Sequence, residues 1–321
     1  MNGVKGIFLI LQYIMTHQHN HNHKASRSSD LKGRRLLFVT ALNLSITIAQ
    51  VIGGLISNSL ALISDALHNL GDTTAILLAY IANKVSKRKA NEKNTFGYKR
   101  FEILAAFFNA LLLISICLYL FVEAYQRLLD PQPVKGLIML IVAVIGFLGN
   151  FFSILLLRNK RGESLNIKAA YLHLLGDTLS SVAVIIGGVF MWLYEVYWID
   201  PLITFIVGVY IIIHTWNVLA ETFGILMQGT PPDIDLNEIS NRLKKISAVK
   251  DIHHVHIWRL NDTTLFLEAH VNTAKDFLIS ETDTIRAEIE QVLNAEFNIN
   301  HVTLQMEFSG CETRNDLVIE K

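Results

Sequence analysis

The sequence predicts an α-helical polytopic membrane domain of six transmembrane helices, followed by a small α+β domain. Three observations carry this. Of 321 residues, 51% are hydrophobic and only 17% charged, with a positive mean hydropathy, which is too apolar for an ordinary soluble protein of this length. Apolar runs close to the ~20 residues needed to cross a hydrocarbon core recur along most of the chain. Beyond Gly229-Thr230-Pro231-Pro232 the composition shifts to that of a soluble module. Lys plus Arg and Asp plus Glu both number 28, so no net charge draws the chain to nucleic acid. Cys117 and Cys311 make no disulfide framework and no CxxC motif.

Residues 1–35 form a cytoplasmic tail. Its apolar run Gly6 to Met15 is too short to cross a bilayer and no small-residue cleavage site follows; Met15 reads as an alternative start. His17, His19, His21 and His23 alternate with polar residues, a pattern open to weak cation collection and equally to a solvated tail. The membrane domain covers residues 36–228, with spans at Leu36 to Ile56, Leu60 to Ala82, Phe101 to Tyr125, Leu137 to Leu157, Ala169 to Leu193 and Pro201 to Phe223. Basic residues gather before the first span (Lys32, Arg34, Arg35), between the second and third (Lys84 to Arg100) and between the fourth and fifth (Arg158 to Lys168). The positive-inside rule then places both termini in the cytoplasm.

Within the second span, Ser64-Asp-Ala-Leu-His-Asn-Leu-Gly-Asp-Thr73 sets ionisable groups in apolar surroundings. In a helix Asp65, His68 and Asp72 stand at i, i+3 and i+7 and share one face. The words return in the fifth span: Leu172, His173, Leu175, Gly176, Asp177 and Thr178 repeat the pattern of Leu67 to Thr73. A lone histidine in an apolar helix is usually a packing residue, but a duplicated histidine-carboxylate pair is not a lone histidine. Carboxylates in a bilayer are costly unless paired or bound. Two imidazoles and two carboxylates from two packed helices are the ligand set of a tetrahedral divalent-metal site. Asp65 is placed to assist the ion's approach or to orient His68. Motifs on the second and fifth of six helices suit an inverted three-plus-three repeat, with the site near the midplane. Asp200, before Pro201, is expected to cap the sixth helix. His214 has no partner at a site-forming spacing and reads as packing or interfacial, and Glu123 lies near the outer end of the third helix.

Residues 229–310 read as αββαβ. Asp235 to Ile246 is an amphipathic helix, Asp251 to Leu260 and Thr264 to Val271 are strands around Asn261-Asp262, Ser280 to Phe297 is a longer helix and His301 to Phe308 a last strand. The expectation is a small antiparallel sheet with helices on one face. Strict alternation puts His254 and His256 on one face and His253 on the other; with His270 and His301 the region is histidine-rich. Ligands from adjacent strands are placed to converge there, near Glu307 or Gln305. Residues 311–321 form a C-terminal tail.

These residues together resemble the cation diffusion facilitator family, in particular its zinc-exporting branch. The most specific parts are His68 with Asp72, His173 with Asp177, the segment Phe96-Gly-Tyr-Lys-Arg-Phe-Glu102 and Ile252-His-His-Val-His-Ile-Trp258. The resemblance implies a homodimeric antiporter in a bacterial inner membrane, exchanging divalent cations for protons, with a ferredoxin-like cytoplasmic domain. It assigns the transport site to His68, Asp72, His173 and Asp177, and a cytoplasmic metal site to His253, His270 and Glu307, with Gln305 where some relatives have histidine. It implies no cofactor: zinc is the transported substrate and a regulatory ligand, with cadmium, cobalt and nickel as further substrates. The competing classes are a membrane metalloenzyme and a metal sensor. No HExxH motif or separate general base accompanies the ligands.

Overall fold

The computed structural model describes residues 30–158, 165–309 and 317, and for 30–41, 76, 156–158 and 165–174 the backbone alone. Met15, His17 to His23 and, Leu317 apart, the 311–321 tail lie outside the described residues. The chain divides into two compact units: the described residues up to Tyr80 with Ala106–Leu219, and Ile81–Ala105 with the described residues of Ala220–Lys321.

Six long helices run through the first two thirds of the chain: α1 Asp30–Ser57, α2 Leu60–Ser86, α3 Phe101–Leu129, α4 Gly136–Arg158, α5 Leu165–Tyr194 and α6 Ile199–Leu226. Among the described residues, four stretches are long and apolar enough to cross a membrane: Phe101–Leu129, Gly136–Leu155, Leu175–Tyr194 and Ile199–Leu226; Leu42–Ser57 is a shorter apolar segment. Helix α2 carries Asp65, His68, Asn69 and Asp72 in its N-terminal half, the residues that lower its hydropathy. Exposed Ile48, Leu112, Phe152 and Ile206 give the unit the apolar exterior that lipid covers.

Close packing comes from small residues. Helix α4 packs on α1 and α5; a Cβ at Gly146 would stand 2.6 Å from Gln50 Nε2, so only glycine leaves room for the Gln50 amide between α1 and α4. Met139, Ala143, Val184, Met191, Val207 and Ile211 form the apolar centre. At one end of the unit a polar knot ties the helices. Asn58, in the left-handed region at φ +58°, turns α1 into α2, and Arg127 Nη1 donates to its carbonyl at 2.7 Å. Arg127 is held in turn by Glu123 at 3.1 Å. Asp200 corrects the expected assignment. Its carboxylate accepts from Ser59 Oγ at 2.6 Å, Leu60 N at 2.7 Å and Ala61 N at 3.3 Å. It therefore caps the N-terminus of α2, not of its own helix, because α6 starts where the exposed amides of α2 begin and both ends are buried.

The second unit contains α7 Leu236–Leu243, β1 Val249–Asn261, β2 Thr264–Thr273, α8 Ile279–Phe297 and β3 His301–Glu307. Asp235 caps α7 by accepting from Asn237 N. The sheet has order β1-β2-β3, and it is mixed, not antiparallel: β1 pairs antiparallel with β2, but β3 lies parallel to β2. The reason is the connection, since a whole helix crosses over between β2 and β3 and returns the chain in the same direction. Ile239 and Leu243 of α7 and Ile285, Ile289 and Leu293 of α8 bury against Ile252, Val255, Ile257, Leu267, Ala269 and Val271, so among the described residues of this unit both helices lie on one sheet face.

Strict alternation fails in β1. Cross-strand pairs run His253↔His270 and then His256↔Glu268, so three steps on β1 oppose two on β2. This is a β-bulge, with His254 in the left-handed region at φ +54°. Paired residues point the same way, and His270 and Glu268 stand two apart on an unbulged strand. His253 and His256 therefore share the open face, correcting the expectation that His253 lies opposite.

Candidate functional site

The predicted membrane ligands come together on α2 and α5. His68 Nδ1 stands 3.6 Å from Asp72 Oδ2, one turn along α2, and His68 Nε2 stands 3.4 Å from Asp177 Oδ1 on α5. His68 and Asp177 are 5% and 1% exposed; Asp72 is half-buried. One atom each from His68, Asp72 and Asp177 lie within 4.8 Å of one another, close enough for a single small cation to reach all three. His173 lies on α5 four residues before Asp177, and its side chain is outside the described set. One nitrogen and two carboxylates are a donor set that suits zinc-like ions better than calcium or magnesium, which take oxygen alone.

Asp65 is buried and oriented by neutral groups. Gln50 Nε2 of α1 donates to Oδ2 at 2.7 Å, and Ser180 of α5 donates its hydroxyl to Oδ1. Gln50 Oε1 accepts from Asn69 Nδ2 at 3.0 Å. One turn from His68, this network links three helices, with Asp65 and Asn69 on the site helix itself.

Tyr210 and His214 of α6 border the site. The Tyr210 ring meets His68 edge-on at 6.2 Å, and His214 stacks on Tyr210 at 5.9 Å. A Cβ at Gly176 would stand 2.6 Å from Tyr210 Oη, so the glycine of the second motif makes room for the phenol. Sequence reasoning missed Tyr210, a residue that looks like any aromatic in a membrane helix. The available signal was His214, one turn further along the same helix.

In the second unit His253 Nε2 lies 3.5 Å from Glu307 Oε2, and His270 Nδ1 lies 2.8 Å from Glu307 Oε1. Donor atoms of His253, His270 and Glu307 lie within 4.8 Å of one another. Among the described residues, both His253 ring nitrogens, His270 Nδ1 and Glu307 Oε2 are buried without a hydrogen-bond partner. Such groups are costly unless something else satisfies them, and a metal ion fits that need. Gln305 donates to Glu307 Oε1 at 2.8 Å and so orients the carboxylate. His254 lies against His270 at a tilt, 4.6 Å between ring centres, and meets His256 edge-on at 5.1 Å. Its pKa is held below the ordinary histidine value, first by partial desolvation and then by His270, His256 and His253, against the pull of Glu268.

Comparison with known proteins agrees with this organisation. Residues 36–227 match the cation efflux transmembrane domain and residues 231–309 the cation efflux protein cytoplasmic domain. The chain is 39% identical to the metal cation efflux system protein CzcD of Cupriavidus metallidurans, covering 92% of this chain and 91% of that protein. It is 37% identical to a protein of Bacillus subtilis named a cadmium, cobalt and zinc/H(+)-K(+) antiporter, over 90% and 91% of the two chains. It is 35% identical to the zinc transporter ZitB of Escherichia coli, over 91% and 93%. Membrane helices, an intramembrane histidine-carboxylate cluster and these matches over nearly the whole chain lead to one conclusion: the chain belongs to the cation efflux family of membrane transporters and is not an enzyme.

Proposed function

We propose that this chain exports zinc from the cytoplasm in exchange for protons, through a site formed by His68, Asp72, His173 and Asp177. The observation that carries the reading is His68 set between carboxylates of two helices, at 3.6 Å from Asp72 and 3.4 Å from Asp177. His173 would complete the set from one turn before Asp177. Nitrogen ligands favour zinc over manganese or magnesium, and the names of the B. subtilis and E. coli relatives support zinc, cadmium and cobalt as cargo.

Coupling follows from ligand chemistry. A metal binds the neutral imidazole and the ionised carboxylate, so binding and protonation exclude each other. Facing the cytoplasm, the deprotonated ligands capture zinc. Facing outward, protons compete for the same nitrogens and oxygens and release it. Asp65, held by Gln50 and Ser180, fixes the α2 backbone one turn from His68.

In this reading all six helices cross a bacterial inner membrane, both termini are cytoplasmic, and the chain works as a homodimer. Residues 36–228 form the transport domain and 229–310 a ferredoxin-like module. His253, His270 and Glu307 hold a regulatory zinc there; the buried, unsatisfied donor atoms support that assignment. The test is zinc accumulation in inside-out vesicles with an acidic lumen. Uptake that collapses when the pH gradient is dissipated is expected. Gradient-independent uptake would overturn the proton coupling, and no uptake by verified, zinc-binding protein would overturn transport.

A further inference from the structure

The bulge in β1 decides whether His253 belongs to the cytoplasmic cluster. Ile252 and Val255 both bury in the core beneath the helices, although they stand three positions apart, which strict alternation forbids. In a regular strand with Val255 in the core, His253 would turn to the same side and leave His270 and Glu307. The bulge prevents this, and its backbone is not relaxed: His254 stands at φ +54°, a conformation uncommon for a residue other than glycine. Such a conformation persists only where its surroundings hold it. Among the described residues β1 is an edge strand, so β2 holds the bulge from one side. On the other side the Val255 amide donates to the Leu317 carbonyl at 2.8 Å, and the half-buried Leu317 side chain packs against the core cluster that contains Ile252 and Val255.

We propose that Leu317 is a positioning residue for the cytoplasmic cluster: it latches onto the free edge of β1, fixes the bulge between His253 and His256, and so keeps His253 Nε2 at 3.5 Å from Glu307 Oε2. The two halves of the contact divide the work. Burial of the leucine side chain brings its carbonyl to the strand, and the carbonyl satisfies the amide that the bulge turns away from β2. A buried amide left without an acceptor is costly, so losing Leu317 favours a return to regular pairing, in which His253 faces the helices. Leucine offers no side-chain ligand, so Leu317 acts only through the backbone of β1. The consequence for metal binding rests on the reading of His253, His270 and Glu307 as a zinc site, whereas the latch itself does not.

Two measurements on the purified protein in detergent test this, comparing the native chain with Leu317→Met, Leu317→Asp and a chain ending at Asp316. The first is hydrogen exchange of peptides covering 252–257. In Leu317→Asp and the shortened chain, exchange at Val255 is expected to rise about tenfold or more while α8 exchanges as in the native protein, and Leu317→Met is expected to stay near native. The second is equilibrium dialysis with Co2+, taking the component of binding that Glu307→Ala removes. Its affinity is expected to fall about tenfold in the same two variants and to be retained in Leu317→Met. Native exchange at Val255 in the shortened chain, or exchange that accelerates equally across α8, would overturn the latch. Faster exchange at Val255 with unchanged Co2+ affinity would overturn the positioning of His253. Co2+ binding that Glu307→Ala leaves intact would instead overturn the zinc-site reading, and the exchange result still decides the latch.

Discussion

Replacing Asp200 with alanine tests how the site helix is held. The carboxylate is fully buried and accepts from Ser59 Oγ, Leu60 N and Ala61 N at 2.6, 2.7 and 3.3 Å. Alanine removes a helix cap, which costs about 1–2 kcal/mol. It also strands the two short-bonded donors in a buried place, at about 1–3 kcal/mol each unless water enters. Ser59 can turn its hydroxyl elsewhere, since its oxygen already accepts from Leu62 N at 3.1 Å, so the total expected is about 3–4 kcal/mol. For a membrane unit of this size that corresponds to a midpoint lowered by about 10 °C. Thermal unfolding in detergent, followed by intrinsic fluorescence, measures it, with zinc binding to the surviving folded fraction as control. Asp200→Asn keeps one acceptor and is expected to lose less than half as much. A midpoint unchanged by Asp200→Ala, or an asparagine variant as unstable as alanine, would refute the capping account.

Three further outcomes follow from the geometry. Gly176→Ala puts a methyl 2.6 Å from Tyr210 Oη, an overpacking worth about 1–3 kcal/mol; zinc flux should fall, and adding Tyr210→Phe should restore most of it by removing the oxygen. Asp65→Leu should reduce zinc uptake by about tenfold or more while Asp65→Asn, whose oxygen still accepts from Gln50 Nε2 and whose amide can donate to the Ser180 hydroxyl oxygen once that hydroxyl turns, retains most of it; equal loss in both would show that the charge matters and not the hydrogen bonds. Ile289→Ala, at a fully buried position of α8, should destabilise the cytoplasmic module by about 2–5 kcal/mol, read as faster hydrogen exchange of β1 and β2 in the full-length protein.

Much of the site was legible because membrane sequence makes polar residues conspicuous. Asp65, His68 and Asp72 stand out in a run of Ala, Leu and Ile, and the return of the same words at Leu172 to Thr178 points to a second helix on the same site. Helical periodicity fixes which of them share a face, and the cluster of His68, Asp72 and Asp177 follows. What could not be read depends on contacts between distant segments. Asp200 sits beside a proline at a helix start and looks like a local cap, yet it serves amides about 140 positions earlier. Tyr210 is marked only by His214 one turn further along its helix, and nothing in the sequence places the phenol beside Gly176. In the cytoplasmic module helices and strands were readable from periodicity, but the direction of β3 is set by the crossover helix. The bulge at His254 left no mark in the alternation of Ile252-His-His-Val-His-Ile257, because histidine is tolerated on either face. Only the pairing of His253 with His270 and His256 with Glu268 exposes the extra residue.

The most direct measurement records zinc and lumenal pH together in inside-out vesicles, comparing the native chain with Asp177→Ala. Asp177 is almost fully buried, 3.4 Å from His68 Nε2, so removing its carboxylate takes one of the proposed ligands from the site. The account predicts that native protein accumulates zinc while the acidic lumen becomes more alkaline, and that both signals vanish together in the variant. Zinc and proton movements that persist undiminished in Asp177→Ala would contradict the account and place the pathway elsewhere in the protein.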